Sequence, residues 1–298
     1  MSPTTGALNA GSIVRGARRL RFLVGPQALS ELTGAYRSAR PGSGLTFSEL
    51  RPYEPGDDVR HLDWNVTARQ GRPFVRKYVE ERSLLLWIMI DVSASLQFGA
   101  ENATKADRAM QAAALLATAA ILGGDRVALT MISDRLEVEI APGGGARHLA
   151  RITRALVSTA TTSRKTDLSL GLPPLLRNRR KASVVVISDF LDPEPAGPWS
   201  QLTRRHPTVA IRVVDPREEA LPDVGLVDLI DAETGSRRTI DTGSARVRSN
   251  YARQARDRRD RFRRWCEGAR LTRLEMVTTE DPLTVLLRHF RNQSRSVR

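Results

Sequence analysis

The longest uninterrupted apolar stretch flanked by polar chain is Leu84-Leu85-Leu86-Trp87-Ile88-Met89-Ile90, and it stops on Asp91-Val92-Ser93-Ala94-Ser95. A run without alternation predicts a strand buried on both faces, as in a parallel sheet covered by helices. A second such strand is predicted over 183–188, again ending on an aspartate, Asp189. Between and beyond them the pattern alternates between strand and helix periods. An alanine- and leucine-rich helix spans 104–122 and is closed by Gly123-Gly124. Strand 126–132 pairs as a hairpin with 136–140, helix 148–159 follows, and 166–172 opens another helix. After the 183–188 strand come a helix over 199–205, a strand over 209–214 and an edge hairpin of 226–230 with 238–241. An arginine-rich helix, a strand over 271–277 and a helix over 282–290, capped by Asp281, close the pattern. The fold class is therefore α/β, with a mostly parallel, Rossmann-like central sheet and helices on both faces.

The first eighty or so residues do not follow that rhythm. Residues 12–23 place Ile13, Leu20 and Leu23 among arginines, which predicts a basic amphipathic helix ended by Gly25-Pro26. A second short helix is expected over 28–36 and a loop or hinge over 38–44. The densest polar segment follows: Arg51-Pro52-Tyr53-Glu54-Pro55-Gly56-Asp57-Asp58-Val59-Arg60-His61-Leu62-Asp63-Trp64, then Ala68-Arg69. Asp57, Asp58 and Asp63 alternate with Arg51, Arg60 and Arg69 at spacings that allow paired bidentate contacts. A structural ion-pair network and a face turned to a ligand or partner are both compatible with that pattern, with Trp64 as a packing anchor. Residues 74–80 alternate as a strand. The division expected is an N-terminal helical and extended segment, 1–80, ahead of an α/β domain, 81–298.

With 298 residues, 41% of them hydrophobic, the chain is able to bury a sizeable core. The single cysteine, Cys266, excludes an internal disulfide framework and a thiolate zinc cluster, and its place on the arginine-rich helix suits a core-facing position. No secretory h-region precedes Phe22, and no stretch reaches the ~20 apolar residues of a bilayer span. A cytoplasmic location is expected, peripheral to the membrane at most through a partner. The formal charge of +14 raises the question of nucleic acid. Nearly all of it is arginine, since the lysines are only Lys77, Lys105, Lys165 and Lys181. Nine arginines fall between Arg246 and Arg264 against Asp257 and Asp260, which reads as a solvated helix face. An acidic partner or an anionic membrane accounts for them as well as a nucleic acid does. Pro142-Gly143-Gly144-Gly145 lacks the Gly-Lys-Ser/Thr ending of a phosphate loop, which disfavours a nucleotide.

In open α/β sheets ligands bind beyond the carboxyl ends of the strands. Asp91, Ser93, Ser95 and Asp189 belong at that edge, and the loop ending in Thr166 is able to reach it. Together they offer five oxygen donors, which suit a hard divalent cation: Mg²⁺, with Mn²⁺ or Ca²⁺ as alternatives. The plainer alternative is that Asp91 caps the following turn and the serines are turn residues. The constellation Asp91-x-Ser93-x-Ser95, Thr166 and Asp189 resembles the metal-ion-dependent adhesion site of von Willebrand factor A domains. The resemblance implies direct binding by the hydroxyls, with the aspartates acting directly or through water. Two departures are Ala94, where glycine is common, and Lys165 before the threonine, where a cation weakens metal binding by repulsion.

The segment Arg51 to Arg69, with Ser43-Gly44-Leu45-x-Phe47 and Asp281-Pro282, resembles the signature of the bacterial "domain of unknown function 58" family. That resemblance covers nearly the whole chain. It implies a von Willebrand factor A-like domain behind the signature and a MoxR-type AAA+ ATPase, or that ATPase's client, as partner. The function expected is thus a non-enzymatic adaptor, in complex maturation or stress response, that binds an acidic group through the metal and has no small-molecule substrate. A metal-dependent phosphoester hydrolase and a basic nucleic-acid binder are the alternatives. The hydrolase lacks a second aspartate at Ser93 to serve as general acid.

Overall fold

The computed structural model describes residues 10–24, 45–55, 57–80, 83–100, 103–159, 163, 165–191, 197–230 and 236–296. The helix expected over 28–36, the loop over 38–44 and most of the polar loop over 161–165 lie outside the described residues. The chain divides into two compact units, residues 1–37 with 84–298, and residues 38–83.

The larger unit opens with helix α1 (Ala10–Val24). The chain then forms the smaller unit from β1 (Leu45–Pro52), α2 (Trp64–Gln70) and β2 (Phe74–Glu80), with a 3₁₀ turn over Val59–His61. β1 and β2 pair antiparallel, from Leu45 opposite Glu80 to Pro52 opposite Phe74. Here the acidic residues act chiefly on backbone. Asp58 accepts the amide of Arg60, and Asp63 accepts those of Asn65 and Val66 at the start of α2. Among the described residues the ion pairs of this segment centre on Arg51, with Asp57 at 2.6 Å and Glu54 at 3.6 Å. The expectation for Trp64 is corrected: its side chain is 70% exposed, because α2 is a two-turn helix that directs its first residue outward.

The larger unit resumes with β3 (Leu85–Asp91), α3 (Lys105–Leu122), β4 (Arg126–Ile132), β5 (Leu136–Gly143), α4 (Gly145–Ser158), α5 (Leu172–Arg177) and β6 (Ser183–Ser188). It continues with α6 (Trp199–Arg205), β7 (Thr208–Val214), α7 (Pro216–Glu219), a hairpin of β8 (Leu226–Ile230) with β9 (Arg237–Asp241), α8 (Ala245–Gly268), β10 (Thr272–Val277) and α9 (Pro282–Ser296). Six strands make the central sheet in the order β10-β7-β6-β3-β4-β5. All neighbours are parallel except the β4–β5 pair.

Every residue of β3 is buried, as its unbroken apolar run predicts. Leu86, Ile88 and Ile90 face one core with α1, α3, α4 and α9. Leu85, Trp87 and Met89 face a second core with α5, α6 and α8. Each fully buried Leu, Ile or Met side chain stabilises the fold by about 1.5–3 kcal/mol relative to exposure. Trp87 keeps its polar end satisfied by donating from Nε1 to Thr130 on β4, 2.8 Å away. α3 ends at Gly123, as expected from sequence, and begins with a reciprocal cap between Thr104 and Asp107. On α8 only Ala255, Phe262 and Cys266 are buried, so its arginines line a solvated face and its cysteine faces the core.

Candidate metal centre

β3 lies between β4, the next strand in the chain, and β6, reached only after the chain has formed β4, β5 and three helices. The winding direction reverses at β3 and β6, and such a switch point leaves a crevice at the carboxyl ends of the strands. Asp91 is the last residue of β3, in register with Ile132 of β4, and Asp189 directly follows β6.

The residues singled out from sequence meet in this crevice. The Asp91 carboxylate accepts the Ser93 amide on Oδ1 at 2.9 Å. The Thr166 hydroxyl lies 3.2 and 3.3 Å from its two oxygens. Ser93 and Ser95 hydroxyls lie 3.0 Å apart. Asp91, Ser93, Ser95 and Asp189 are buried, whereas Thr166 is half-buried. The loop carrying Thr166 is stitched to the strand ends, since Asp167 donates its amide to Ser133 and Ala94 donates to the Ser163 carbonyl. Gly171 lets the following turn lie against the sheet: a Cβ there would stand 2.4 Å from Cδ1 of Ile132 and 2.9 Å from Sδ of Met89.

The backbone after β6 makes a sharp turn. Phe190 adopts φ 48, a left-handed conformation that costs a non-glycine residue about 1–2 kcal/mol. Its ring is held 4.8 Å from that of Phe262 and 5.7 Å from that of Trp265, and its amide donates to Ser188 Oγ. The Phe262 contact belongs to the second core, which thereby fixes the turn that places Asp189.

Two further residues of the crevice are not apparent from sequence. Ser188 donates its hydroxyl to Asp91 Oδ2 at 2.7 Å; its position, one residue before Asp189 at a strand end, is the only sequence signal for it. Lys105, the first residue of α3, is fully buried, with Nζ 2.8 Å from Asp189 Oδ2 and 2.6 Å from Glu218 Oε1. Its signal is a lysine in a chain that otherwise uses arginine. Lys165, where a competing cation was expected, is exposed.

The electrostatics follow from burial and proximity. Burial, and then the Asp189 charge, push the Asp91 carboxyl from 3.8 up to about 6, against the amide of Ser93 and the hydroxyl of Ser188. Burial alone would lower Lys105, but Asp189 and Glu218 outweigh it and hold the ammonium above its ordinary value. Around Asp91 and Asp189 the Lys105 ammonium and the buried Arg212 guanidinium, whose Nε donates to the Asp189 carbonyl at 3.4 Å, stand against three carboxylates, counting Glu218. The donor set, two carboxylates and three hydroxyls with excess negative charge, fits a hard divalent cation. Asp189 fits less simply, because both of its oxygens are engaged: Oδ2 by Lys105 and Oδ1 by the Leu191 amide at 3.3 Å. Among the described residues no group of three or more His, Cys, Asp or Glu side chains is arranged to hold a metal, so any ion site here depends on the hydroxyls.

The described residues include no helix long and apolar enough to cross a membrane. A family model described as "Protein of unknown function DUF58" matches residues 49–261. The uncharacterized protein Rv1480 of Mycobacterium tuberculosis is 33% identical over 294 residues, covering 97% of this chain and 92% of that protein. The uncharacterized protein MAV169 of Mycobacterium avium is 36% identical over 147 residues, covering 47% of this chain and 86% of that protein. Among solved structures, the conserved hypothetical protein BatB from Bacteroides thetaiotaomicron aligns with a TM-score of 0.44 at 11% identity, over 71% of this chain and 99% of that one.

Proposed function

The chain belongs to the DUF58 family, and from that membership and the arrangement around Asp91 we propose that it is a non-enzymatic adaptor whose sheet edge binds an acidic group of a protein partner through a divalent cation. Asp91, Ser93, Ser95 and Thr166 would hold the ion, with Asp189 beside it, in the manner of a von Willebrand factor A adhesion site. A bound Mg²⁺ supplies an open coordination position for a carboxylate from outside the chain. The chain's own residues do the rest: Ser188 and the Ser93 amide orient Asp91, and the second core sets the turn at Phe190. The partner proposed, on the family resemblance, is a MoxR-type AAA+ ATPase or its client, met in the cytoplasm and at most peripherally at the membrane.

The observation that carries this reading is the convergence of Ser93, Thr166 and Ser188 on one buried carboxylate beside a second one. A structural cap needs only the Ser93 amide; hydroxyls from two further segments are more than a turn requires. The test is an association measurement between the purified chain and the MoxR-type ATPase from the same genome. Binding is expected in magnesium and is expected to vanish in Asp91→Asn. The variant is the decisive arm, because chelation also disarms the ATPase. Equal binding by wild type and Asp91→Asn rejects the proposal.

A further inference from the structure

Lys105 sits against every local preference. It is the first residue of α3, where the helix dipole disfavours a cation, and its side chain is fully buried, where an ammonium is costly unless paired. An outward-facing lysine at this position would avoid the cost of burial. Instead its ammonium enters the crevice and bridges Asp189 and Glu218 at 2.8 and 2.6 Å, with the Phe98 ring 5.9 Å away. Asp189 and Glu218 come from the ends of β6 and β7, the latter through the short α7, so the lysine ties the start of α3 to the ends of two neighbouring strands.

We infer that Lys105 is a tethered cation that sets the ion affinity of this centre, so that the free protein holds a divalent ion weakly and a partner's carboxylate completes the site. The inference rests on the metal reading above and adds its regulation. With Asp189 held by Lys105 and the Leu191 amide, the carboxylate left to coordinate directly is Asp91, whose partners among the described residues are the Ser93 amide and the neutral hydroxyls of Thr166 and Ser188. Affinity for hard cations rises with the number of charged ligands, so a set with one carboxylate is a weak site. An incoming carboxylate supplies the missing charge, which couples ion binding to partner binding. Glu218 is the counterweight: it draws the ammonium away from Asp189.

The two ends of the bridge then have opposite effects. Lys105→Met removes the competing charge and frees Asp189, and should tighten ion binding about tenfold or more, because a unit charge at short range in a buried site is poorly screened. Glu218→Gln leaves the ammonium to Asp189 alone and should weaken binding. The experiment is a Mn²⁺ titration of the free protein, followed by loss of the paramagnetic signal of the hydrated ion, on wild type, Lys105→Met, Glu218→Gln and Asp91→Asn. Tighter binding in the first variant and weaker binding in the second support the inference. If Lys105→Met does not fold, the Glu218→Gln arm decides, since unchanged or tighter binding there overturns it. Binding abolished in Asp91→Asn but unmoved by the other two overturns the role of Lys105 and leaves the site standing. Mn²⁺ binding that survives Asp91→Asn, or is absent in every form, overturns both.

Discussion

At the scale of single residues, the energetics of the crevice turn on Asp91. Its carboxyl titrates at about 6 in the folded chain against 3.8 ordinarily, so between those values the folded state binds more protons than the unfolded one. Stability from this group is fully present below about pH 4 and is lost as pH rises through about 6. Asp125, also raised to about 6 by burial, acts with the same sign, so the contribution of Asp91 must be read as a difference. Asp91→Asn removes the buried charge but keeps an acceptor for the Ser93 amide. Without divalent ions it should therefore be more stable than wild type at pH 7, by roughly 1–2 kcal/mol, with the difference gone at pH 4. Millimolar magnesium should raise the melting temperature of wild type at pH 7 and leave the variant unmoved; thermal melts in both conditions check this. Asp91, Ser93, Ser95, Thr166 and Asp189 are legible in sequence because each sits at an abrupt end of an apolar run or opens a polar turn. Lys105 and Ser188 are not, because their roles depend on contacts made 84 and 97 positions away along the chain.

Elements, more than side chains, decide whether those residues meet. The strands β3 and β6 are readable because buried parallel strands carry unbroken apolar runs, and α3 is readable from its composition and its closing glycines. What periodicity does not reveal is the tight seat of the 168–171 turn on the sheet, since Gly171 has no side chain to enter the pattern. Gly171→Ala would place a methyl group against Ile132 and Met89, and overpacking of this kind costs about 1–3 kcal/mol. Because the same turn follows Thr166, the variant should also lose part of the magnesium-induced rise in melting temperature. A normal rise would show that Thr166 is placed independently of the turn. Phe190 tests the other side of the crevice. Phe190→Ala keeps the left-handed backbone penalty and forfeits the ring contacts, with an expected loss of about 3–5 kcal/mol in denaturant unfolding. Phe190→Gly relieves the backbone and should lose less than its smaller size alone suggests.

For the molecule as a whole, the linear order of the chain differs from the order of its cores. A reading by sequence places the boundary near residue 80, where the α/β rhythm starts. The contacts group residues 1–37 with 84–298, because α1 packs on α3 and α9 and buries Ile13, Ala17 and Leu20 in the first core. The amphipathic spacing of Ile13 and Leu20 is visible in sequence; that their partners lie beyond an intervening unit is not, since periodicity gives a face and never its destination. The helix also meets Gly16 against Leu115 and Leu283, a close approach that a larger residue would obstruct. Removing residues 1–24 strips cover from an apolar surface on α3 and α9. Burial of Ile13 and Leu20 contributes about 1.5–3 kcal/mol each, less the entropy of ordering the helix, so the loss should be on the order of 3 kcal/mol. The truncated chain should unfold at lower denaturant with a smaller m-value, since less surface is exposed on unfolding. Excising 38–83 and joining its ends with a flexible linker should leave the melting temperature of the α/β unit, and its response to magnesium, close to those of the full chain. A truncation at 24 that costs nothing would place the cooperative boundary at residue 80 after all.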